Sequence, residues 1–192
     1  MQIRSILLLT VLLVTAACAE NGTGPVISSG DRYSSAAASA ADYRLAPGDR
    51  IKITVYNEPN LTGDYGVSAD GAVSLPLIGD VPATDHTVNE VIAEATTRYA
   101  GGFLRTPKLS GEVSIFRPFF ILGEVATPGN YPYVVGMTAM NAIAIAKGFT
   151  PRANRRMVFI RRKDDAKEIS YRLTPELRVY PGDTVRVGER YF

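Results

Sequence analysis

YRLAPGDRIKITVYNEPNLTGDYGVSADGAVSLPLIGDV, residues Tyr43–Val81, decides how this chain is read. Pro47-Gly48-Asp49 predicts a turn, with Pro fixing φ and Gly free to take a positive φ. Ile51, Ile53 and Val55 then alternate with Lys52, Thr54 and Tyr56, the period-2 pattern of a strand with one buried face. The opening residues Leu45–Ile53 have an echo near the C-terminus, Val179–Val187, in which Pro181-Gly182-Asp183 again precedes alternating apolar residues. A turn followed by a strand recurs in many β-rich proteins, so the echo alone identifies nothing.

Outward from this stretch, Asn57–Gly66 reads as a polar loop, and Asp70-Gly71 between Val67 and Val73-Ser74-Leu75 is a hairpin signal. Pro76, Gly79 and Pro82 are expected to end that region. Thr87-Val88-Asn89-Glu90 is a capping box that opens a helix. Val88, Val91, Ile92, Ala95 and Tyr99 share one face of it, and Gly101-Gly102 is its stop. Leu109, Val113 and Ile115 mark another strand. Phe119–Leu122 is a continuous apolar run, which predicts a strand buried on both faces. In Gly123–Tyr131, Pro128-Gly129 predicts a type II turn. Thr138 caps a second helix that Gly148 terminates. Val158 and Ile160 lie in a strand, Asp164-Asp165 turns the chain, and Ile169, Tyr171 and Leu173 form its partner. The fold class is therefore α+β.

Residues 1–17 read as a signal peptide, with Arg4 as the positive end and Ile6–Val14 as a short apolar core. Cys18 is the sole cysteine, so no internal disulfide is available. Ala16-Ala17-Cys18 resembles a bacterial lipobox that would make Cys18 a lipidated first residue, although Thr15 stands where Leu is usual. Ordinary cleavage at the small-residue triplet also fits. In the sorting rule the lipobox resembles, Ala19 favours the outer membrane. Residues 18–42 are rich in Ala, Ser and Gly and read as a tether reaching on the order of 25–30 Å. Loss of Arg4 leaves 20 basic against 19 acidic residues, a balance that disfavours nucleic acid as a partner.

Two motifs in order carry a resemblance. The stretch from Tyr43 resembles the start of the polysaccharide export domain in outer-membrane exporters of the Wza type. Gly123-Glu124-Val125-Ala126-Thr127-Pro128-Gly129-Asn130-Tyr131 resembles the GEV-x-x-PG-x-Y signature of the SLBB domain, a β-grasp fold that follows it. The resemblance implies a small export-domain unit over 43–116 and a β-grasp-like SLBB domain over 117–192. It implies a non-enzymatic lipoprotein at the periplasmic face of the outer membrane, building part of the path for a capsular or extracellular polysaccharide. Implied partners are the polymer, further copies in a homo-oligomeric ring, and an inner-membrane polysaccharide co-polymerase. Larger family members end in a membrane-spanning helix, and here the chain ends at Arg190-Tyr191-Phe192, so a separate outer-membrane β-barrel is expected to supply the pore. The alternative is a periplasmic β-grasp module that captures a small soluble ligand.

The residues offer little for catalysis. His86 is the only histidine, so neither a metal site nor a His-dependent base has its partners, and no cofactor motif is present. Asp49, Asp70, Asp80 and Asp183 all adjoin Gly, where Asp serves turns. Arg152, Arg155, Arg156, Arg161 and Arg162 form, with Lys163, the densest basic stretch. It reads either as a solvated loop leading into a strand or as a contact for an acidic polymer or a neighbouring subunit. The chain has no Trp, so no tight sugar-stacking pocket is indicated.

Overall fold

The computed structural model describes residues 43–163 and 165–190. The expected signal segment, Cys18, the tether and Asp164 lie outside them. Two hydrophobic clusters divide the described chain. One gathers Leu45 through Tyr99, and the other Phe119 through Val187.

The first cluster is built on β1 (Arg50–Val55), whose Ile51, Ile53 and Val55 point inward while Arg50, Lys52 and Thr54 face water. β1 is the centre of a three-stranded antiparallel sheet, between β2 (Gly63–Gly66) and β5 (Leu109–Ile115). The expected loop Asn57–Gly66 therefore needs correction, because it contains a 3-10 turn at Pro59–Leu61 and all of β2. Gly-Asp-Tyr-Gly has poor strand propensity, and pairing with β1 overrides it. Thr62 closes the turn, its Oγ1 accepting from the Val55 amide at 2.9 Å.

Asp70-Gly71 does make a turn, with Gly71 at φ 82° and a single bridge between Val67 and Val73. The longer ladder lies one step on, where β3 (Ala72–Leu75) pairs with β4 (Gly79–Pro82). Gly79 and Pro82, expected to terminate the region, bound a strand that buries Val81 completely. Helix α1 (Val88–Ala100) starts with the predicted capping box: the Thr87 amide donates to Glu90 at 2.7 Å and the Glu90 amide to Thr87 Oγ1 at 3.3 Å. Val91, Ala95 and Tyr99 are buried, with Val88 and Ile92 packed at the margin. The Tyr99 hydroxyl donates to the Pro76 carbonyl at 3.0 Å and ties the helix to the β3–β4 connection.

The second cluster is a five-stranded mixed sheet, ordered β7 (Gly129–Tyr131), β6 (Phe119–Gly123), β10 (Thr184–Glu189), β8 (Ala153–Arg161), β9 (Ile169–Arg172). β6 and β10 run parallel at its centre, and every other pairing is antiparallel. Helix α2 (Ala139–Ile145) buries Ala139, Ala142 and Ile143 and carries a second capping box between Thr138 and Asn141. One helix across such a sheet is the β-grasp arrangement.

Two expectations fail here for backbone reasons. Phe119–Leu122 is not buried on both faces: Phe119 and Ile121 are fully buried, but Phe120 and Leu122 are each 44% exposed. With a single helix, only one sheet face can be covered. Pro128-Gly129 is not a type II turn either, because Gly129 is extended and paired with Ile121. The left-handed position falls instead at Gly123, φ 83°, where a Cβ would sit 2.1 Å from the Val187 carbonyl oxygen.

Candidate functional site: a clamped joint and an arginine-rich sheet end

The two Pro-Gly-Asp turns are alike in three dimensions. In the first, Asp49 Oδ2 accepts from the Ala46 amide at 2.8 Å, and in the second, Asp183 Oδ2 accepts from the Tyr180 amide at 2.8 Å. Each aspartate amide donates back to the same residue's carbonyl, Ala46 or Tyr180, at 3.1 Å. Gly48 and Gly182 both have positive φ, 97° and 84°. Asp49 and Asp183 are 0% and 2% exposed, so the turn role expected for them holds. Asp70 and Asp80 are exposed, and Asp80 accepts from Ser74 Oγ at 2.5 Å.

Both turns grip the short segment Phe116-Arg117-Pro118 that joins the two clusters. The Arg117 amide donates to Asp49 Oδ1 at 2.7 Å, and Arg117 Nη1 donates to Asp49 Oδ2 at 3.0 Å. Arg117 Nε donates to the Pro181 carbonyl at 3.2 Å, and the Gly182 amide donates to the Pro118 carbonyl at 3.1 Å. A Cβ at Gly182 would lie 2.8 Å from Arg117 Nε, so glycine is needed for the approach as well as for the turn.

Tyr43 completes the joint. Its hydroxyl donates to Asp49 Oδ2 at 2.7 Å and accepts from Arg117 Nη1 at 2.9 Å. Burial pushes the Tyr43 phenol well above its ordinary range, and the neighbouring Asp49 charge adds to the shift. The Phe116 ring stands edge-on to Tyr43 at 4.9 Å and to Tyr133 at 5.5 Å. Burial raises the Tyr133 phenol too. A buried carboxylate with several donors and one guanidinium is a stable charge arrangement.

The basic stretch is not a loop. β8 starts at Ala153, so Arg155 and Arg156 lie on a strand. The register between β8 and β10 shifts there, and Asn154 Oδ1 accepts from the Arg156 and Met157 amides at 2.9 and 3.2 Å. Arg155 and Arg156 are consequently both exposed. Arg161 and Arg162 lie at the far end of β8, about 17 Å from Arg156 at the rise of an extended strand. In their place the topology brings Arg172 and Arg190 alongside: Met157 pairs with Arg172, and the Arg190 amide donates to the Arg152 carbonyl at 2.9 Å. Arg152 pairs with Glu189 at 2.7 Å, and Arg155 stands over the Phe149 ring at 5.7 Å.

His86 is exposed beside the start of α1, its Nδ1 2.9 Å from the Thr84 carbonyl. Among the described residues no three His, Cys, Asp or Glu side chains are grouped to hold a metal ion. No helix among the described residues is long and apolar enough to cross a membrane.

The two units, so joined, match two known families in order. Residues 37–114 match the family described as polysaccharide biosynthesis/export protein, and residues 118–170 match the SLBB domain. The chain carries a polysaccharide export domain followed by an SLBB domain. It is 33% identical over 123 residues to the exopolysaccharide production protein ExoF of Rhizobium meliloti (strain 1021). That match covers 58% of this chain and 29% of the relative, so the chain spans under a third of the relative's length. The joint residue Arg117 falls in the gap between the two matched segments. Reading motifs one at a time missed Arg117, and it took Gly123 as part of a signature without its left-handed backbone; the repeated Pro-Gly-Asp was the signal that could have paired the two turns.

Proposed function

We propose that this protein is a non-enzymatic building block of the periplasmic conduit for a capsular or extracellular polysaccharide. The observation that carries the reading is the ordered pair of matched domains held by one buried charge cluster at their joint. A conduit wall must keep its domains in fixed relation, and the Asp49–Arg117 clamp serves that need. Polysaccharide export proteins are associated with the periplasm and outer membrane in general. Acylation of Cys18 would hold the chain against the outer membrane from its periplasmic side. Copies would close into a ring through heterologous contacts and so enclose the lumen together. A polysaccharide co-polymerase docks on the inner side, and a separate outer-membrane β-barrel supplies the pore.

Deleting the gene and measuring surface and periplasmic polymer tests the reading. Polymer is expected to disappear from the cell surface, and a normal amount outside would sink the proposal. Cys18→Ser is expected to release the folded domains from the membrane fraction, with mass spectrometry reporting the lipid on the wild type. Sedimentation of the lipidated protein in detergent is expected to reveal a large species, whereas a strict monomer counts against the ring. Crosslinking in intact cells is expected to capture the barrel and the co-polymerase. A saturable small ligand in place of an export defect would favour the β-grasp capture module instead.

A further inference from the structure

The arginine cluster at one end of the β-grasp sheet has a composition that points to its ligand. Arg152 comes from the residue before β8, Arg155 and Arg156 from its start, Arg172 from the end of β9, and Arg190 from the residue after β10. All of them are exposed. Two acidic groups lie beside it: Glu189, paired with Arg152, and Glu124, which accepts a hydrogen bond from the Thr150 hydroxyl. The cluster gathers five arginines in a chain whose net charge is only +2. The second half of the described chain is the more basic: between residues 118 and 190 there are 12 basic and 7 acidic side chains, against 7 and 9 between 43 and 117.

The five clustered cations are all arginine. A guanidinium fork matches the two oxygens of a carboxylate, whereas an ammonium is a compact point charge. Two of the forks are steadied: Arg152 by Glu189, and Arg155 by the Phe149 ring. The bulge at Asn154 places Arg155 and Arg156, adjacent in sequence, both at the surface. The surface is open, so it suits an extended polymer held weakly at several points more than a small molecule enclosed.

We infer that this sheet end binds the carboxylate groups of an acidic polysaccharide, so that the exported polymer is polyanionic. The inference rests on the export reading and adds the chemical class of the cargo. The contact is fast and salt-sensitive, because exposed charge pairs are screened and individually weak. Such contacts guide a chain without arresting it.

The test uses the purified chain, with alginate as the polyanion, dextran as the neutral polymer, and phosphatidylglycerol vesicles as an anionic surface. Alginate is expected to bind and dextran not to. Arg155→Glu with Arg156→Glu is expected to weaken alginate binding about tenfold or more, since each reversal replaces a charge-assisted contact by repulsion. Arg155→Lys with Arg156→Lys keeps the charge and the fold while removing the forks, and is expected to lose several-fold. Arg161→Glu with Arg162→Glu is expected to bind as the wild type, because at physiological salt the screening length of about 8 Å is shorter than the gap to the cluster. Thermal melts of each variant confirm folding. Failure of the wild type to bind alginate, equal binding of dextran, wild-type affinity in the Arg155/Arg156 reversal, or binding of vesicles without alginate would each overturn the assignment. These outcomes concern the cluster alone; the export reading is decided separately by the deletion strain.

Discussion

Arg117 and Asp49 form an ion pair at 3.0 Å in which the carboxylate is fully buried and the guanidinium side chain is 17% exposed. The pair joins a turn at the start of the first domain to the segment leading into the second. Its desolvation is compensated by further donors: the Ala46 amide, the Tyr43 hydroxyl and the Arg117 amide also reach the Asp49 carboxylate.

Arg117→Ala should therefore be costly. It removes the paired cation and leaves Asp49 buried, which typically costs about 3–5 kcal/mol. The remaining donors to Asp49 place the expected loss near the low end. Because the same side chain also holds the Pro181 carbonyl, the two domains should lose coupling, and calorimetry is expected to resolve one unfolding transition into two. A single transition with unchanged midpoint would refute the clamp.

Gly123→Ala tests the crossing of β6 and β10. The added methyl group would meet the Val187 carbonyl at 2.1 Å, and the backbone sits at φ 83°. A left-handed alanine alone costs roughly 1–2 kcal/mol, and the collision adds to it. Gly129→Ala, at an extended position whose nearest atom would be 3.9 Å away, is expected to change stability by less than about 1 kcal/mol. Urea denaturation of the two variants should separate them clearly.

The face assignment of β6 gives a third comparison. Ile121 is fully buried, so Ile121→Ala is expected to cost about 2–5 kcal/mol. Phe120→Thr and Leu122→Thr alter side chains that are 44% exposed and should stay within about 1 kcal/mol of wild type. Equal losses at all three positions would show that the outer face is covered in solution.

Tyr43 makes stability pH-dependent at the alkaline end. Its folded pKa lies above the ordinary value of 10.0, so the folded state keeps a proton that the unfolded chain gives up. The contribution is complete below pH 10.0 and is lost as pH rises from there towards the folded pKa. Tyr43→Phe should flatten that part of the pH–stability curve. Burial raises Tyr133 as well, so the readout is the difference between proteins. At a given alkaline pH the phenolate shortfall of native Tyr43→Phe against its unfolded chain should be smaller than that of the wild type by one tyrosine.

Elements whose signals are local were legible in the sequence. Thr87 with Glu90 fixed the start of α1, alternation at Ile51, Ile53 and Val55 fixed β1, and Thr138 and Gly148 bounded α2. Features set by distant partners were not. β2 exists because β1 offers it a ladder, and Gly123 is required because β10 passes against it. The basic run misled for the same reason. Adjacent positions in sequence suggested one patch, yet a strand carries Arg161 and Arg162 away from Arg156 while neighbouring strands bring in Arg172 and Arg190.

The position of β10 has a consequence for the order of events during folding. The strand enters between β6 and β8, and its Thr184 lies opposite Phe120, far back along the chain. Closing so long a loop is slow, and the central pairing of the sheet must wait for it. Pro181 and Gly182, the second jaw on Arg117, immediately precede that strand. The first domain can thus form early as its own nucleus, while insertion of one late strand both completes the second sheet and locks the two domains together in a single cooperative step.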